Sequence, residues 1–335
     1  MKLAIVKLSA MGDIIHAMVA LEFIKKHNSD IQIDWIVESS FVSILENNPN
    51  INQILPINLK SIKKEKKELI AQIKLLRQYA KNNYDLVIDA QGLIKSAISA
   101  KLLGSKVAGF DKNSIREKIA SFLYDIKVDI AYDANTIDRN AKVLSHPLNL
   151  DITTDDILQK SAFLFYDDSQ RVDELIKNSQ KNIIFIIGST WESRNYPKEK
   201  FAEIANEIKE NILVCWGNED EYEKAKYIEH HSTYAKATPK LNLNELKALI
   251  AKSDLTIGND TGPTHMAWGL NRPSITIFGP TPTSRVYITD INKVVKSNSI
   301  VNPYKLDKED FSIQEIESKE IVDLAKKLLH VPSRL

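Results

Sequence analysis

The stretch "VKLSAMGDIIHAM", Val6–Met18, passes from an apolar run through Gly12 into a helical pattern, with Asp13 at the corner. Upstream, "KLAIVKL" (2–8) is apolar enough for a strand buried on both faces. Downstream, Ile14, Met18, Leu21 and Ile24 recur at helical spacing over 13–27. A buried strand that feeds a helix through a tight turn is the unit of a parallel α/β sheet. A nucleotide-binding sheet would usually place a glycine-rich phosphate loop at this corner. Here the corner carries a carboxylate.

The same punctuation continues along the chain. Strand patterns fall at 31–37, 51–57, 84–90 and 106–110, with helical patterns over 64–82 and 93–103. Residues 127–180 give a weaker signal, with helical periodicity near 138–148 and 169–178. Strands then resume at 182–188, 211–217, 254–260 and 273–280, separated by helical patterns, and a helix closes the chain over 313–330. The chain thus reads as α/β, with two doubly wound, Rossmann-like domains. We place the first at 1–155 and the second at 156–312, and expect the terminal segment 313–335 to pack back on the first. Two such sheets facing a central cleft bind ligands at the carboxyl ends of their strands.

Composition narrows the function. The 335 residues suit two domains. The 45 basic and 44 acidic residues leave a net charge of +1, which argues against nucleic acid as a partner. The single cysteine, Cys215, fits a reducing cytoplasm. No targeting segment is expected, and no apolar run reaches the roughly 18 residues of a membrane span. A soluble or peripheral cytoplasmic protein is expected.

Two strand ends in the second half suit phosphate. In "IIGSTWESRNYP" (186–197), Gly188 is followed by the hydroxyls of Ser189 and Thr190 and the guanidinium of Arg194. In "GNDTGPTHMAWG" (258–269), Asp260, Thr261, Gly262 and His265 surround a helix start whose N–H groups favour an anion. The bland readings are a surface loop and a helix cap. Glu221, in "CWGNEDEYEKA" (215–225), could bond a ribose or simply complement a helix dipole. In the first half, "VIDAQGLIKSA" (87–97) gathers Asp89, Gln91, Gly92 and Lys95. Lys60 precedes the run Lys63, Lys64, Lys66 and Lys67, which is either a solvated helix face or a landing patch for an anionic acceptor or lipid. Asp13 itself could be a base or a helix cap.

Several signatures are missing. There is no G-x-G-x-x-G, no Walker A, no D-x-D pair, no H-E-x-x-H and no cysteine cluster. A nicotinamide cofactor and a dedicated metal site are therefore not expected. A diphosphate ligand in one domain and a carboxylate at a strand end in the other are the parts a glycosyl transfer from a nucleotide sugar needs.

In their order along the chain, "KLSAMGDIIHA", "DAQGLIKSA", "GSTWESRNYP", "NDTGPTH" and "FGPT" (278–281) resemble the bacterial lipopolysaccharide heptosyltransferases, most of all the type I members. The resemblance implies a GT-B fold and an inverting transfer of L-glycero-D-manno-heptose. The donor would be ADP-heptose and the acceptor the inner Kdo of Kdo-lipid A, at the cytoplasmic face of the inner membrane. It implies no required cofactor and no metal. Carried over by position, it makes Asp13 the base and Ser189 and Thr190 the phosphate-binding hydroxyls. Glu221 becomes the ribose acid and Leu241 the adenine-side contact. Asp260, Thr261, Gly262 and His265 complete the donor site. Arg116 and Lys95 join Lys60, Lys63 and Lys64 on the acceptor side. Where better-known members have a lysine, this chain has Arg194. Arginine keeps the charge and adds a bidentate fork. An enzyme that adds a later heptose, or a catalytically silent nucleotide-sugar-binding scaffold, would share most of these residues.

Overall fold

The computed structural model describes residues 1–63, 65, 67–104 and 106–330. The chain forms two compact units, one from Met1 to Phe165 and one from Tyr166 on. The division falls after 165, beyond the boundary at 155 expected from pattern alone.

The first unit is a parallel sheet of β1 (Lys2–Val6), β2 (Gln32–Glu38), β3 (Gln53–Ile57), β4 (Leu86–Asp89), β5 (Val107–Phe110) and β6 (Ile126–Val128). Their order is β3-β2-β1-β4-β5-β6. Leu3, Ala4, Ile5 and Val6 of β1 are fully buried, as its unbroken apolar run requires of a central parallel strand. Val6 pairs in register with Ile36 on one side and Asp89 on the other, so three strand ends lie level. The expected helix 13–27 begins earlier and comes as two segments, Met11–Met18 and Ala20–His27.

The second unit repeats the plan with β7 (Asn182–Ile186), β8 (Asn211–Cys215), β9 (Ala235–Ala237), β10 (Leu255–Asn259), β11 (Ser274–Phe278) and β12 (Asn292–Lys296), in the order β12-β11-β10-β7-β8-β9. Its core is centred on Phe185 and Phe201, 5.1 Å apart, with Tyr196 edge-on to Phe201. Truncating a fully buried Phe typically costs about 3–5 kcal/mol. The terminal helix Ser318–Leu329 places Ile321, Val322, Ala325 and Leu328 in this same core. These four positions form one helical stripe. The terminal helix therefore belongs to the second unit, not to the first as expected.

Both sheets have the doubly wound order, in which the winding direction reverses between two neighbouring central strands. In the first unit these are β1 and β4. In the second they are β7 and β10. The loops after these four strands carry "SAMGD", "AQGLIK", "GSTWESR" and "DTGPTH". Four of the motifs read from the sequence thus sit at the two switch points.

Candidate functional site

In the first unit, Asp89 organises the switch point. It ends β4 with no exposure, and its carboxylate accepts four hydrogen bonds: from Gln91 N–H (2.9 Å), Gly92 N–H (3.2 Å), Ser96 Oγ (2.8 Å) and Tyr124 OH (2.7 Å). Burial pushes its carboxyl above the usual range, and the four donors oppose that. Gly92 takes a left-handed φ of 71°, which lets the loop fold back over the carboxylate. Gln91 then turns its Oε1 to the neighbouring loop, where Leu8 and Ser9 donate their N–H groups at 3.0 and 2.9 Å. The β4 loop thereby braces the segment leading into Asp13.

Asp13 is the third residue of the helix Met11–Met18 and is half-buried. Its Oδ2 accepts the Ala10 N–H at 3.3 Å, so it does cap the helix. A carboxylate has further lone pairs beyond one such bond. Beneath it, Lys7 is 5% exposed and donates to the Ala90 carbonyl (2.8 Å) and Asn140 Oδ1 (2.9 Å). Burial lowers the Lys7 pKa, while the charges of Asp13 and Asp89 pull it upward.

Glu38, at the end of β2, is absent from the sequence-based set. It is 2% exposed, and Oε1 has no hydrogen-bond partner among the described residues. Burial raises its pKa, and Lys95, Lys60 and the Leu59 and Lys60 N–H groups oppose the rise. Two of the expected acceptor-side lysines are thus gathered around one buried carboxylate. Lys60 also lies 5.1 Å from the Phe41 ring centre. Arg116 is exposed ahead of the helical turn Lys118–Leu123. Lys64 lies outside the described residues, as do Lys66 and the side chain of Lys63.

In the second unit the two switch-point loops are joined by Asn259. Its Nδ2 donates to the Ile187 carbonyl (2.8 Å) and its Oδ1 accepts the Tyr196 N–H (3.0 Å). Arg194, from the β7 loop, reaches across to Asp260 with Nη2, bonding the backbone carbonyl and, at 2.8 Å, Oδ2. Asp260 also accepts from Thr281 Oγ1 (2.8 Å) and lies 3.0 Å from His265 Nε2. Arg285 Nε is 3.6 Å from the same Oδ2. Burial alone would raise the Asp260 pKa, but Arg285, His265 and Arg194 together hold it well below the carboxylate range. The expectation for Asp260 therefore changes. Its carboxylate orients two guanidiniums, which outweigh its single negative charge. Arg285 and Thr281 follow β11; Thr281 closes the "FGPT" motif without having been given a role, and Arg285 was not singled out. The only cue was a third strand end, "FGPT", closely followed by an arginine.

Ser189 Oγ is buried with no hydrogen-bond partner among the described residues, a hydroxyl that a bound phosphate oxygen would satisfy. Thr190 beside it is exposed. Thr261 precedes the helix Gly262–Gly269 with extended dihedrals and makes no side-chain cap bond. Thr264 donates its hydroxyl to the Asn259 carbonyl at 2.7 Å. Glu221 accepts the Gly217 N–H (2.7 Å) and the Asn218 Nδ2–H (2.9 Å). Its carboxyl also presses on Gly188, where a Cβ would collide with it. Leu241 is half-buried in the loop after β9, next to Lys240, whose ammonium lies 5.6 Å from the Trp216 ring. The structure thus brings Ser189, Arg194, Glu221, Asp260, Thr261 and His265 to one end of one sheet. No group of three or more His, Cys, Asp or Glu arranged to hold a metal occurs among the described residues.

Comparison with known proteins agrees with this geometry. The family described as glycosyltransferase family 9 (heptosyltransferase) matches residues 72–317. The lipopolysaccharide heptosyltransferase 1 of Campylobacter coli is 41% identical, over 98% of this chain and 99% of its own. The Escherichia coli K12 protein of the same name is 29% identical, over 84% and 88%. Among solved structures, E. coli heptosyltransferase WaaC with ADP superposes with a TM-score of 0.81 at 24% identity, covering 98% of this chain and 100% of that one. E. coli ADP-heptose heptosyltransferase II gives 0.76 at 18%, covering 98% of both. Two doubly wound units with a cationic strand-end site in the second are the architecture of a GT-B glycosyltransferase. The chain belongs to glycosyltransferase family 9, the heptosyltransferases.

Proposed function

We propose that this enzyme moves L-glycero-D-manno-heptose, with inversion, from ADP-heptose to the inner Kdo of Kdo-lipid A. The step would begin the heptose region of the lipopolysaccharide core. The second unit holds the donor and the first the acceptor. The observation that carries the donor half is the pair Arg194 and Arg285 fixed about Asp260, an anion site built before any anion arrives. Whole-length similarity to a heptosyltransferase 1 supports the choice of sugar and acceptor.

In the reaction, the acceptor hydroxyl oxygen attacks the anomeric carbon as the bond to the ADP oxygen breaks. The leaving electron pair goes to the β-phosphate. Arg194, Arg285, Ser189, Thr190 and the N–H groups at the start of Gly262–Gly269 stabilise the charge gained there. Because Asp260 already orients the arginines, little reorganisation is needed at the transition state. Asp13 accepts the hydroxyl proton. A carboxylate is a weak base toward an alcohol, so the proton moves late, once C–O bond formation has acidified it. Glu221 bonds the ribose and the segment at Leu241 faces the adenine. Lys60, Lys63, Lys64, Lys95 and Arg116 meet the acceptor's negative charge. The enzyme acts peripherally on the cytoplasmic face of the inner membrane. Among the described residues no helix is long and apolar enough to cross a membrane.

A coupled assay of ADP release, with ADP-heptose and Kdo-lipid A, tests this. Asp13→Asn is expected to lower kcat by about 10²- to 10⁴-fold while ADP affinity stays unchanged. Wild-type turnover in that variant would exclude Asp13 as the base. Release of ADP only with an already heptosylated acceptor would reassign the enzyme to a later heptose. Donor binding without release on either acceptor would mark a silent scaffold.

A further inference from the structure

The first unit exposes apolar side chains where its fold gives no reason to. Phe122 is 77% exposed and Ile119 67% exposed. They lie three apart on the 3₁₀ segment Lys118–Leu123, so they project on the same side. Ile94 and Ile98 are also exposed, four apart on one face of the helix Ile94–Leu102. The two elements pack against each other, and the Glu117 carboxylate accepts the Ile94 N–H at 2.7 Å. The four exposed side chains thus lie on two elements packed against each other.

The charge around them is one-sided. Residues 93–127 carry seven lysines and arginines against three acids, in a chain whose net charge is only +1. All three acids are engaged locally. Glu117 holds Ile94 N–H, Asp125 holds Val107 N–H and Lys101, and Asp111 holds the N–H groups of Asn113 and Ser114. Lys95, Arg116 and Lys118 remain exposed at the edge of the apolar group.

We propose that this surface docks on an anionic phospholipid bilayer, with Ile98, Ile119 and Phe122 entering the headgroup–acyl boundary and the cations meeting lipid phosphates. Exposed apolar side chains ringed by lysine and arginine match such a membrane in both respects. A second copy of the chain would set these cations against one another. The same β4 loop that starts this helix holds, through Gln91, the segment ahead of Asp13. Docking here would deliver a lipid-borne sugar beside the base without its leaving the bilayer. That last step rests on the acceptor reading above, whereas membrane binding does not.

Co-sedimentation of the full chain with vesicles tests it. The wild type is expected to bind phosphatidylglycerol–phosphatidylethanolamine vesicles, less so as salt rises, and to leave phosphatidylcholine vesicles unbound. The double variant Ile119→Ser/Phe122→Ser should lose about tenfold or more in vesicle partitioning. Lys118→Gln should weaken binding to the anionic vesicles alone. Calorimetric ADP affinity and the melting temperature should match wild type in both, which separates docking from folding and from the donor site. Unchanged partitioning of both variants would overturn the proposal. So would equal wild-type binding to phosphatidylcholine, or a dimer in light scattering that the double variant abolishes.

Discussion

Asp260 balances four cationic or donor groups, so its charge should be felt in stability as well as in binding. Breaking a buried ion pair by removing one charge typically costs about 3–5 kcal/mol, and Asp260→Asn should fall in that range at neutral pH. The folded carboxyl is held below its unfolded value. Its contribution is therefore complete above the unfolded pKa, about 3.9, and fades as pH falls through the folded value. The gap between wild type and Asp260→Asn in urea midpoints should narrow by about 1 kcal/mol by pH ~3. A gap constant with pH would show that the charge is not what stabilises. Arg285→Ala should weaken ADP binding about tenfold or more, as loss of a charged partner does. At this scale the sequence was partly legible. Asp13, Ser189 and Arg194 stood out because each follows a strand end with a turn. Two of Asp260's partners went unassigned, because Thr281 and Arg285 come from a third strand end and only the fold brings them over. Glu38 was missed because an acid after an apolar strand looks like any solvated turn.

Between elements, two contacts carry testable consequences. The Glu221 carboxyl occupies the space a side chain at Gly188 would need. Gly188→Ala should cost little stability, since a flexible carboxyl can move aside. It should nonetheless lower ADP affinity by about as much as Glu221→Ala, and the double variant should be no worse than either, because both remove the same contact. Additive losses would show that Glu221 acts without Gly188. Gln91→Leu leaves the Leu8 and Ser9 N–H groups unpaired. It should lower kcat by about tenfold through misplacement of Asp13, with ADP affinity unchanged in the same titrations. The elements themselves were legible in proportion to their burial. Central strands such as β1 and β7 are unbroken apolar runs. The edge strands β6 ("IKV") and β9 ("AKA") went unread because each is three residues with a lysine at its centre, and β12 ("NKVVK") because two lysines leave only Val294 and Val295 as an apolar run. Such traits blunt a sheet edge against unwanted pairing, and they also remove the strand signal. Near 169–178, only Gln170–Asp173 forms a helix.

For the molecule as a whole, the residues proposed to hold ADP all belong to the second unit. Hydrogen exchange with ADP alone should therefore protect amides at 188–196 and 259–265 and leave those at 8–13 unchanged. Protection of the first unit by ADP alone would contradict that division of labour. Two-domain architecture was readable from the repeated strand–helix rhythm, but the domain limits were not. The region around 127–180 lacks a clean period, and the terminal helix shows an amphipathic stripe without saying which core it completes.

That helix has a consequence for how the protein is made. Because it completes the second core, the first unit is one uninterrupted stretch of chain ending at Phe165. Every strand of the first sheet, including the two that β1 pairs with, is synthesised before the second unit begins. Domains generally fold as units during synthesis, the N-terminal one first. The first unit can thus be finished, with its exposed apolar surface in place, while the second is still being translated.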